Sequence, residues 1–471
     1  MKNAGENVLI VDKVERKPLH VQIYEQLKKQ ILSGKLLPQT KLPSIRELSI
    51  ELSVSRNTVE YAYQQLYTEG YIYSKPKSGY FVAVLDSDFV AHPANVTSLA
   101  IEQVAEGGVT YQYDFHPASL APDSFPSKIW RSLYIDCLKE QSIQFNVYSN
   151  RQGEHSLRRE IQLYLERSRG VFCDPAQIVI GSGLQDSLTL IAQLLRDEHT
   201  MLAVEEPGYW IPRSVFSNNG FELRTVSVHE NGLAVEALKH TGSTVVYVTP
   251  SHQFPLGYVM PAENRMNLIN WSKMVGGVII EDDYDSELRY HGKPIPALQG
   301  LHPGGNIIYI GTFSKVLSPT LRINYMVLPH RLLRKYNQLF SDYACTVPLL
   351  DQRTLARFME QGYWERHLRK MRNIYKKRYE AIIQAVDRHF GSSAQIVGQG
   401  AGLHIVLTLR DTRFTENEIV RRAQEKGIRL LSLADAYLQH RAGYPQFMMG
   451  FGGMQPADIE RGVAQLYRYC L

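Results

Sequence analysis

Cysteine is scarce and scattered. The 471 residues hold four, Cys137, Cys173, Cys345 and Cys470, with no CxxC pair among them. That spacing excludes a disulfide framework and a cysteine-built zinc site. Long hydrophobic runs are also missing: no apolar stretch approaches the roughly 18 residues a membrane-spanning helix needs. The start, Met1 to Lys13, has no signal-peptide core, which points to the cytosol. Charge of one sign is in short supply too, with a net charge of only +5. Its distribution is uneven: residues 1–85 hold 12 Lys and Arg against 8 Asp and Glu, so four of the five charges lie in the first fifth of the chain. Two modules with different partners are the expectation, the first of them facing an anion. Apolar side chains are plentiful at 44%, which excludes disorder as the dominant state. The length calls for two to four units at roughly 100–200 residues each.

Residues 18–82 read as three short helices and a hairpin. Leu19, Ile23, Leu27 and Ile31 recur at helical spacing, and Gly34 closes that helix. Ser44 followed by Glu47 is a capping box, with Ile45, Leu48 and Leu52 on one face of the helix it starts. Ser55 caps a third helix carrying Val59, Ala62, Tyr63 and Leu66, ended by Gly70. Tyr71–Tyr73 and Tyr80–Val82 flank a polar turn over Ser74–Gly79. Two capped helices with a short turn form a helix-turn-helix, and the hairpin is its wing. The first turn of the third helix, Ser55, Arg56, Asn57 and Thr58, then enters the major groove with donors suited to guanine, adenine and phosphate. Ser44 and Arg46 meet the DNA backbone, and Lys75 and Lys77 add phosphate contacts from the wing. The competing reading is a small helical interaction domain whose basic residues form a solvated face.

The string LPSIRELSIELSVSRNTVEYAYQQLYTEGYIYSKPKSGYFV resembles the winged-helix domain of GntR-type bacterial repressors along its whole length. The LPS-x-REL opening, the VSR-x-TV helix start, the L-x-x-EGY end and the wing glycine occur in order. That resemblance implies DNA contacts for Arg46, Arg56, Thr58 and Gly79; Ser44, Ser55, Asn57 and Lys77 rest on the geometry alone.

From Ala83 to about Gln112 the pattern weakens, with Pro93, Gly107 and Gly108 and no sustained period. It reads as an interdomain tether with room for a short helix near Val96–Ala105. The expected organisation is a DNA-binding domain over 14–83, a linker over 84–112 and an α/β body over 113–471. Within the body, a large part covers about 150–345 and a small part about 346–471. Its clearest strands are Gln177–Ile180, Met201–Val204, Thr244–Val248, Val278–Glu281 and Ile307–Gly311, each running into a polar cluster. Open parallel sheets place their sites at those strand ends.

Three clusters stand out. Gly181-Ser182-Gly183-Leu184-Gln185 opens a helix and offers amides to a phosphate, although most such turns are only turns. Glu281-Asp282-Asp283-Tyr284-Asp285 could hold a metal, form a solvated loop, or set a carboxylate against a pyridine nitrogen with a tyrosine beside a ring oxygen. Thr312-Phe313-Ser314-Lys315, with Arg322 seven residues on, suits a phosphate monoester and an aldehyde. Each is weak alone. Together they describe pyridoxal phosphate (PLP).

Over roughly 113–471 the chain resembles fold-type I, class I aminotransferases. With its N-terminus, the whole resembles the MocR subfamily of GntR regulators, on the stretches VEEPGY, TPSHQFPLG, IIEDDYDSE and GTFSKVLSPTLRINYMVLP. The resemblance implies that Lys315 forms the internal aldimine, Asp282 holds the pyridine N–H, Tyr284 contacts the 3′-oxygen and Tyr209 stacks on the ring. Ser182, Gly183, Leu184, Gln185, Thr312, Ser314 and Arg322 would surround the phosphate. Tyr148 would reach the partner's phosphate in a homodimer.

Two departures from aminotransferases bear on function. Their Asn-Pro-Thr-Gly motif tunes the ring oxygen with its asparagine; here Phe254 precedes Pro255-Leu256-Gly257, so the contact is missing or supplied by Gln253 or His252. Their carboxylate-binding arginine has no counterpart in Gln446–Gly453, where Arg441 and Arg429 are the nearest candidates. Losing a bidentate arginine weakens binding of amino-acid carboxylates. GABA-responsive members of the subfamily carry arginines where this chain has Trp210-Ile211 and the Ala434–Tyr437 region. The expected effector is therefore another amine or PLP itself, as in regulators of vitamin B6 synthesis. The expectation is a regulator that binds operator DNA as a dimer; the alternative is a working aminotransferase with an accessory DNA-binding domain.

Overall fold

The computed structural model describes residues 9–12, 17–85, 110–140, 145–290, 295–398, 400–439 and 443–470. The chain divides into two compact units, Met1–Gly108 and Val109–Leu471. The division falls inside the segment read as a tether. The short helix expected near Val96–Ala105 lies outside the described residues.

In the first unit, helices Leu19–Leu32, Ile45–Glu51 and Arg56–Thr68 precede the antiparallel strands Ile72–Lys75 and Gly79–Val82. Both bonds of the capping box are made: Glu47 N–H donates to Ser44 Oγ at 3.2 Å, and Ser44 N–H to Glu47 Oε2 at 2.8 Å. Ile23, Leu27, Leu48, Val59, Tyr63 and Leu66 are almost fully buried in one core. The three apolar stripes therefore do what their spacing requires. The hairpin turn is tighter than Ser74–Gly79, because Ser74 pairs with Tyr80 and Lys75 with Gly79. Polar residues here extend the ladder because one face of a wing stays in solvent.

The second unit is built around an eight-stranded sheet. Its spatial order is Ile178–Gly181, Asn324–Val327, Ile307–Thr312, Val278–Asp283, Val245–Val248, Met201–Glu206, Glu222–His229 and Gly232–Leu233. Neighbours from Ile307–Thr312 through Glu222–His229 pair in parallel, and Asn324–Val327 is antiparallel to both of its neighbours. The five strands read from the sequence are all in this sheet. Strand Val278–Asp283 is buried along its whole length, although its last three residues are acidic. Strands covered on both faces bury whatever they carry, so those carboxylates must find partners.

A four-stranded antiparallel sheet, Ala394–Val397, His404–Leu409, Gln446–Gly450 and Leu431–Ser432, forms the smaller part. The long helix Tyr363–Phe390 packs against helix Pro456–Cys470 beside it. The start of the body, Tyr113–Asp114, pairs in parallel with Ile428–Arg429 of this smaller part. Among the described residues, no helix is long and apolar enough to cross a membrane.

Candidate functional site

A cavity of about 220 Å³ opens at the C-terminal ends of the central strands. Strand Ile307–Thr312 delivers Thr312, then Ser314 and Lys315 in the turn after it; strand Val278–Asp283 delivers Asp282 and Tyr284. Leu184 and Gln185 enter from the first turn of helix Leu184–Leu195, and Tyr209 from the loop after Met201–Glu206. Arg322 closes the same side in a left-handed conformation, φ 53°. Clusters separated by up to 140 residues in sequence thus meet in one space.

Three expected residues lie off the lining. Ser182 donates its N–H to Asp186 Oδ2 at 3.0 Å, and Gly183 donates to Asn324 Oδ1 at 3.0 Å. Those amides are already committed. The amides of Leu184 and Gln185, at the first helical turn, have no intrahelical acceptor. Gly183 has another role: a Cβ at its φ of +113° would run into the Arg322 guanidinium, so only glycine lets that side chain lie against the turn. Tyr148 is 93% exposed in this single chain.

The electrostatics follow from burial. Asp282 is pushed up to about 7 by desolvation, against a short hydrogen bond from Tyr247 that lowers it. Lys315 is lowered by burial, with Asp285 and Asp282 pulling the other way; its Nζ donates to the Pro117 carbonyl at 3.4 Å. Burial takes Tyr209 up to about 12, so it stays a neutral ring. Such a lysine is more nucleophilic near neutrality than an exposed one. A half-protonated buried carboxyl can hold or give a proton.

Asn324 and Tyr247 were not evident as site residues in the sequence. Asn324 Oδ1 receives the Gly183 amide, and its Nδ2 donates to Ser187 Oγ at 2.9 Å. Its only sequence signal was an asparagine heading a buried apolar strand. Tyr247 is one of four residues in a buried run, and nothing nearby marks its hydroxyl. Phe254 does line the cavity, with its ring centre 4.7 Å from that of Tyr209. Gln253 and His252 do not: Gln253 donates to the Pro207 and Phe254 carbonyls, and His252 Nδ1 lies 2.8 Å from Asp285 Oδ2. Arg429 sits 3.8 Å from Asp114 at the Tyr113–Asp114 pairing, away from the cavity, and Arg441 lies outside the described residues. Among the described residues, Arg322 is the only arginine on the lining.

Burial raises Glu205, Glu281 and Glu287 as well, each to about 7 from 4.5. A carboxyl raised in the folded state binds its proton more tightly folded than unfolded, so its contribution is complete below 4.5 and lost as pH climbs through about 7. The cofactor-free protein should therefore lose thermal stability as pH rises through that window and then level off. Thermal melts across the window check it, and a midpoint that climbs instead would contradict it.

In the first unit, Arg46, Arg56 and Asn57 are exposed at the starts of their helices. Ser55 Oγ accepts the Thr58 amide at 3.2 Å and lies 2.8 Å from Thr58 Oγ1, so both hydroxyls belong to the cap. Ser44 is likewise the cap of its helix. In the wing, Lys77 and Gly79 have φ of +61° and +105°, and Lys75 lies 4.8 Å over the Phe81 ring. Asn57 shares a shallow depression with Glu60, Tyr61 and Gln64, three and four residues apart along the helix face. Their only signal in the sequence is that helical spacing from Asn57.

The chain matches two family models: "Bacterial regulatory proteins, gntR family" over residues 19–82, and "Aminotransferase class I and II" over residues 123–461. It is 38% identical to the uncharacterized HTH-type transcriptional regulator YdeL of Bacillus subtilis, covering 95% of this chain and 96% of that one. It is 33% identical to the "probable rhizopine catabolism regulatory protein MocR" of Rhizobium meliloti, over 98% and 95% of the two chains. It is 31% identical to the pyridoxine biosynthesis transcriptional regulator PdxR of Corynebacterium glutamicum, over 82% of each. Among solved structures, a kynurenine aminotransferase of Pyrococcus horikoshii, in complex with PMP, is 26% identical with a TM-score of 0.69, over 77% of this chain and 91% of that one. An α-aminoadipate aminotransferase of Thermus thermophilus, complexed with a phosphopyridoxyl-leucine, is 25% identical with a TM-score of 0.68, over 76% and 91%.

Proposed function

Because this chain belongs to the MocR subfamily of GntR-type regulators and is a PLP-dependent transcriptional regulator, we propose that it binds operator half-sites as a cytoplasmic homodimer and reads out an amine, or PLP itself, in the cavity of its aminotransferase-like body. The observation that carries this is the meeting of Lys315, Asp282, Tyr284, Thr312, Ser314 and Arg322 in one space, on a chain that also carries a winged helix.

The residues present suit the cofactor. Bound PLP supplies an aldehyde that condenses with amines and a ring that accepts electrons. Lys315 presents the amine, its proton loosened by burial. Asp282, held by Tyr247, would face the ring nitrogen and keep a proton there. Tyr209 would cover one face of the ring, with the apolar Phe254 and Ile211 beside it on the lining. Thr312, Ser314, Arg322 and the first-turn amides of Leu184 and Gln185 would hold the phosphate. Tyr148, exposed on one copy, would reach the phosphate of the other. On the DNA side, Arg56 and Asn57 read base edges, while Arg46, Thr58, Lys77 and Gly79 fix the backbone, with Ser44 and Ser55 adding hydroxyls. The working division is 14–83 for DNA, 84–112 as tether and 113–471 for the ligand.

The apolar wall and the lack of a second arginine on the described lining favour an amine without a carboxylate, or PLP, over GABA. PdxR, named for pyridoxine biosynthesis, makes the cofactor itself a natural effector to test. Calorimetry of the cofactor-free protein with PLP, beside operator binding with and without it, tests the reading. Coupling of about 1–3 kcal/mol is the usual size; an unchanged operator affinity and footprint would remove PLP as effector. Arg56→Ala should weaken specific operator binding by about 1–3 kcal/mol if it reads a guanine. An unaltered footprint would reject that assignment.

A further inference from the structure

Next to Tyr284 lies a buried pair that takes no part in the cofactor contacts proposed for the cavity. His252 and Asp285 are almost fully buried and lie off the cavity lining. His252 Nδ1 is 2.8 Å from Asp285 Oδ2 and also 3.0 Å from the Tyr284 hydroxyl. A neutral imidazole nitrogen offers either one hydrogen or one lone pair, so Nδ1 cannot donate to the carboxylate and accept from the tyrosine at once.

Two observations favour the donor. Among the described residues, the buried His252 Nε2 has no hydrogen-bond partner. With Nδ1 bare, Nε2–H would be an orphaned donor, and an ionised Asp285 would face a lone pair; both are costly. With Nδ1 protonated, Asp285 accepts and the Tyr284 hydrogen is left over. The other groups facing this cluster do not change the choice. His404, its ring centre 5.7 Å from that of His252, donates Nε2–H to the Pro255 carbonyl and is kept neutral by burial, which takes it down to about 3. Lys315 Nζ stands 6.0 Å from the Tyr284 ring centre. The pocket is also shaped for the imidazole: a Cβ at Gly402 would meet both the ring and the Asp285 carboxylate, and one at Gly257 would crowd Nε2.

We propose that His252 and Asp285 are positioning residues acting through Tyr284: the pair leaves the tyrosine's hydrogen free to point at the cofactor's ring oxygen. In this chain they would do from behind the tyrosine what a side-chain amide does in aminotransferases, where Phe254 stands here. The proposal rests on the cavity being the PLP site.

The test is the pH dependence of visible absorbance in the PLP-loaded full chain. A hydrogen bond to the ring oxygen makes that oxygen a poorer partner for the neighbouring nitrogen's proton, so losing it raises the midpoint. His252→Phe should raise the midpoint by about half a pH unit or more. In a Tyr284→Phe background the same substitution should change it little, since the hydroxyl it acts through is gone. His252→Asn, whose amide can still donate to Asp285, should stay near the wild type. Should His252→Phe not fold, Asp285→Ala serves in the same cycle, because its effect must also vanish without the tyrosine hydroxyl. Equal shifts with and without that hydroxyl, or none at all, would overturn the proposal. A wild-type chain that takes up PLP without any visible band would overturn the reading of the cavity, and the proposal with it.

Discussion

Lys315→Ala protein mixed with PLP is expected to show no lysine-bound visible absorbance at all, while its cofactor-free form binds operator DNA as the wild type does. The lysine is the only amine on the described cavity lining, and no second lysine can take over the covalent attachment. Folding should survive, because among the described residues Nζ makes one long hydrogen bond, to the Pro117 carbonyl, a distant approach to the Tyr284 ring and no ion pair. Removing a half-buried cation from beside Asp282 and Asp285 leaves two carboxylates with less compensation, and Asp282 can answer by keeping its proton. Absorbance spectra and operator titrations of the two proteins, side by side, decide the matter. A variant that fails to fold would make the lysine structural, and one that keeps the band would move the attachment elsewhere.

The largest stability effect is expected at Arg169, at the end of helix His155–Arg169. Its Nε lies 2.6 Å from Asp283 Oδ2, with both side chains at most 4% exposed. It also donates to Ser251 Oγ at 2.7 Å and to the Ile295 carbonyl, while Tyr309 shares the same Asp283 oxygen at 2.6 Å. Burial alone would lower the guanidinium's pKa, and Asp283, Tyr309 and Glu281 together more than offset that. Arg169→Ala takes the guanidinium partner from the buried Asp283 carboxylate and leaves it the Tyr309 hydroxyl, a loss of about 3–5 kcal/mol. Urea denaturation measures it. A loss below about 1 kcal/mol, the size of an exposed pair, would mean water reaches the carboxylate. Since Asp283 directly follows Asp282 on the same strand, the variant should also take up PLP less tightly.

The sequence made the first unit almost fully legible, because every signal there is local. A capping serine and its glutamate are three residues apart, and the buried stripe of Arg56–Thr68 repeats at helical spacing. The cavity was legible only as fragments. Ser182, Asp282 and Lys315 are each ordinary where they stand, and only their combination points to one ligand. What stayed hidden depends on long-range contact. Asn324 anchors Gly183 across 141 residues, and Tyr247 reaches Asp282 across 35. No periodicity announces such pairs, since the sheet order that creates them is not written in either neighbourhood. The wing turn was drawn too wide because polar residues read as loop even when one face of a hairpin is wet.

The smaller part of the body is tied to the loop that carries Tyr209. Glu206 Oε1 accepts the amides of Leu438 and Gln439 at 2.7 and 2.9 Å, and the Ala436 carbonyl accepts from Gly208 N–H at 2.9 Å and Arg213 Nη2 at 2.6 Å. These bonds bracket the tyrosine on both sides in sequence. The loop carrying Tyr209 is therefore hydrogen-bonded to the smaller part on both sides of the tyrosine. Loss of the Glu206 carboxylate is therefore expected to disturb both the Tyr209 wall of the cavity and the Leu438–Gln439 turn.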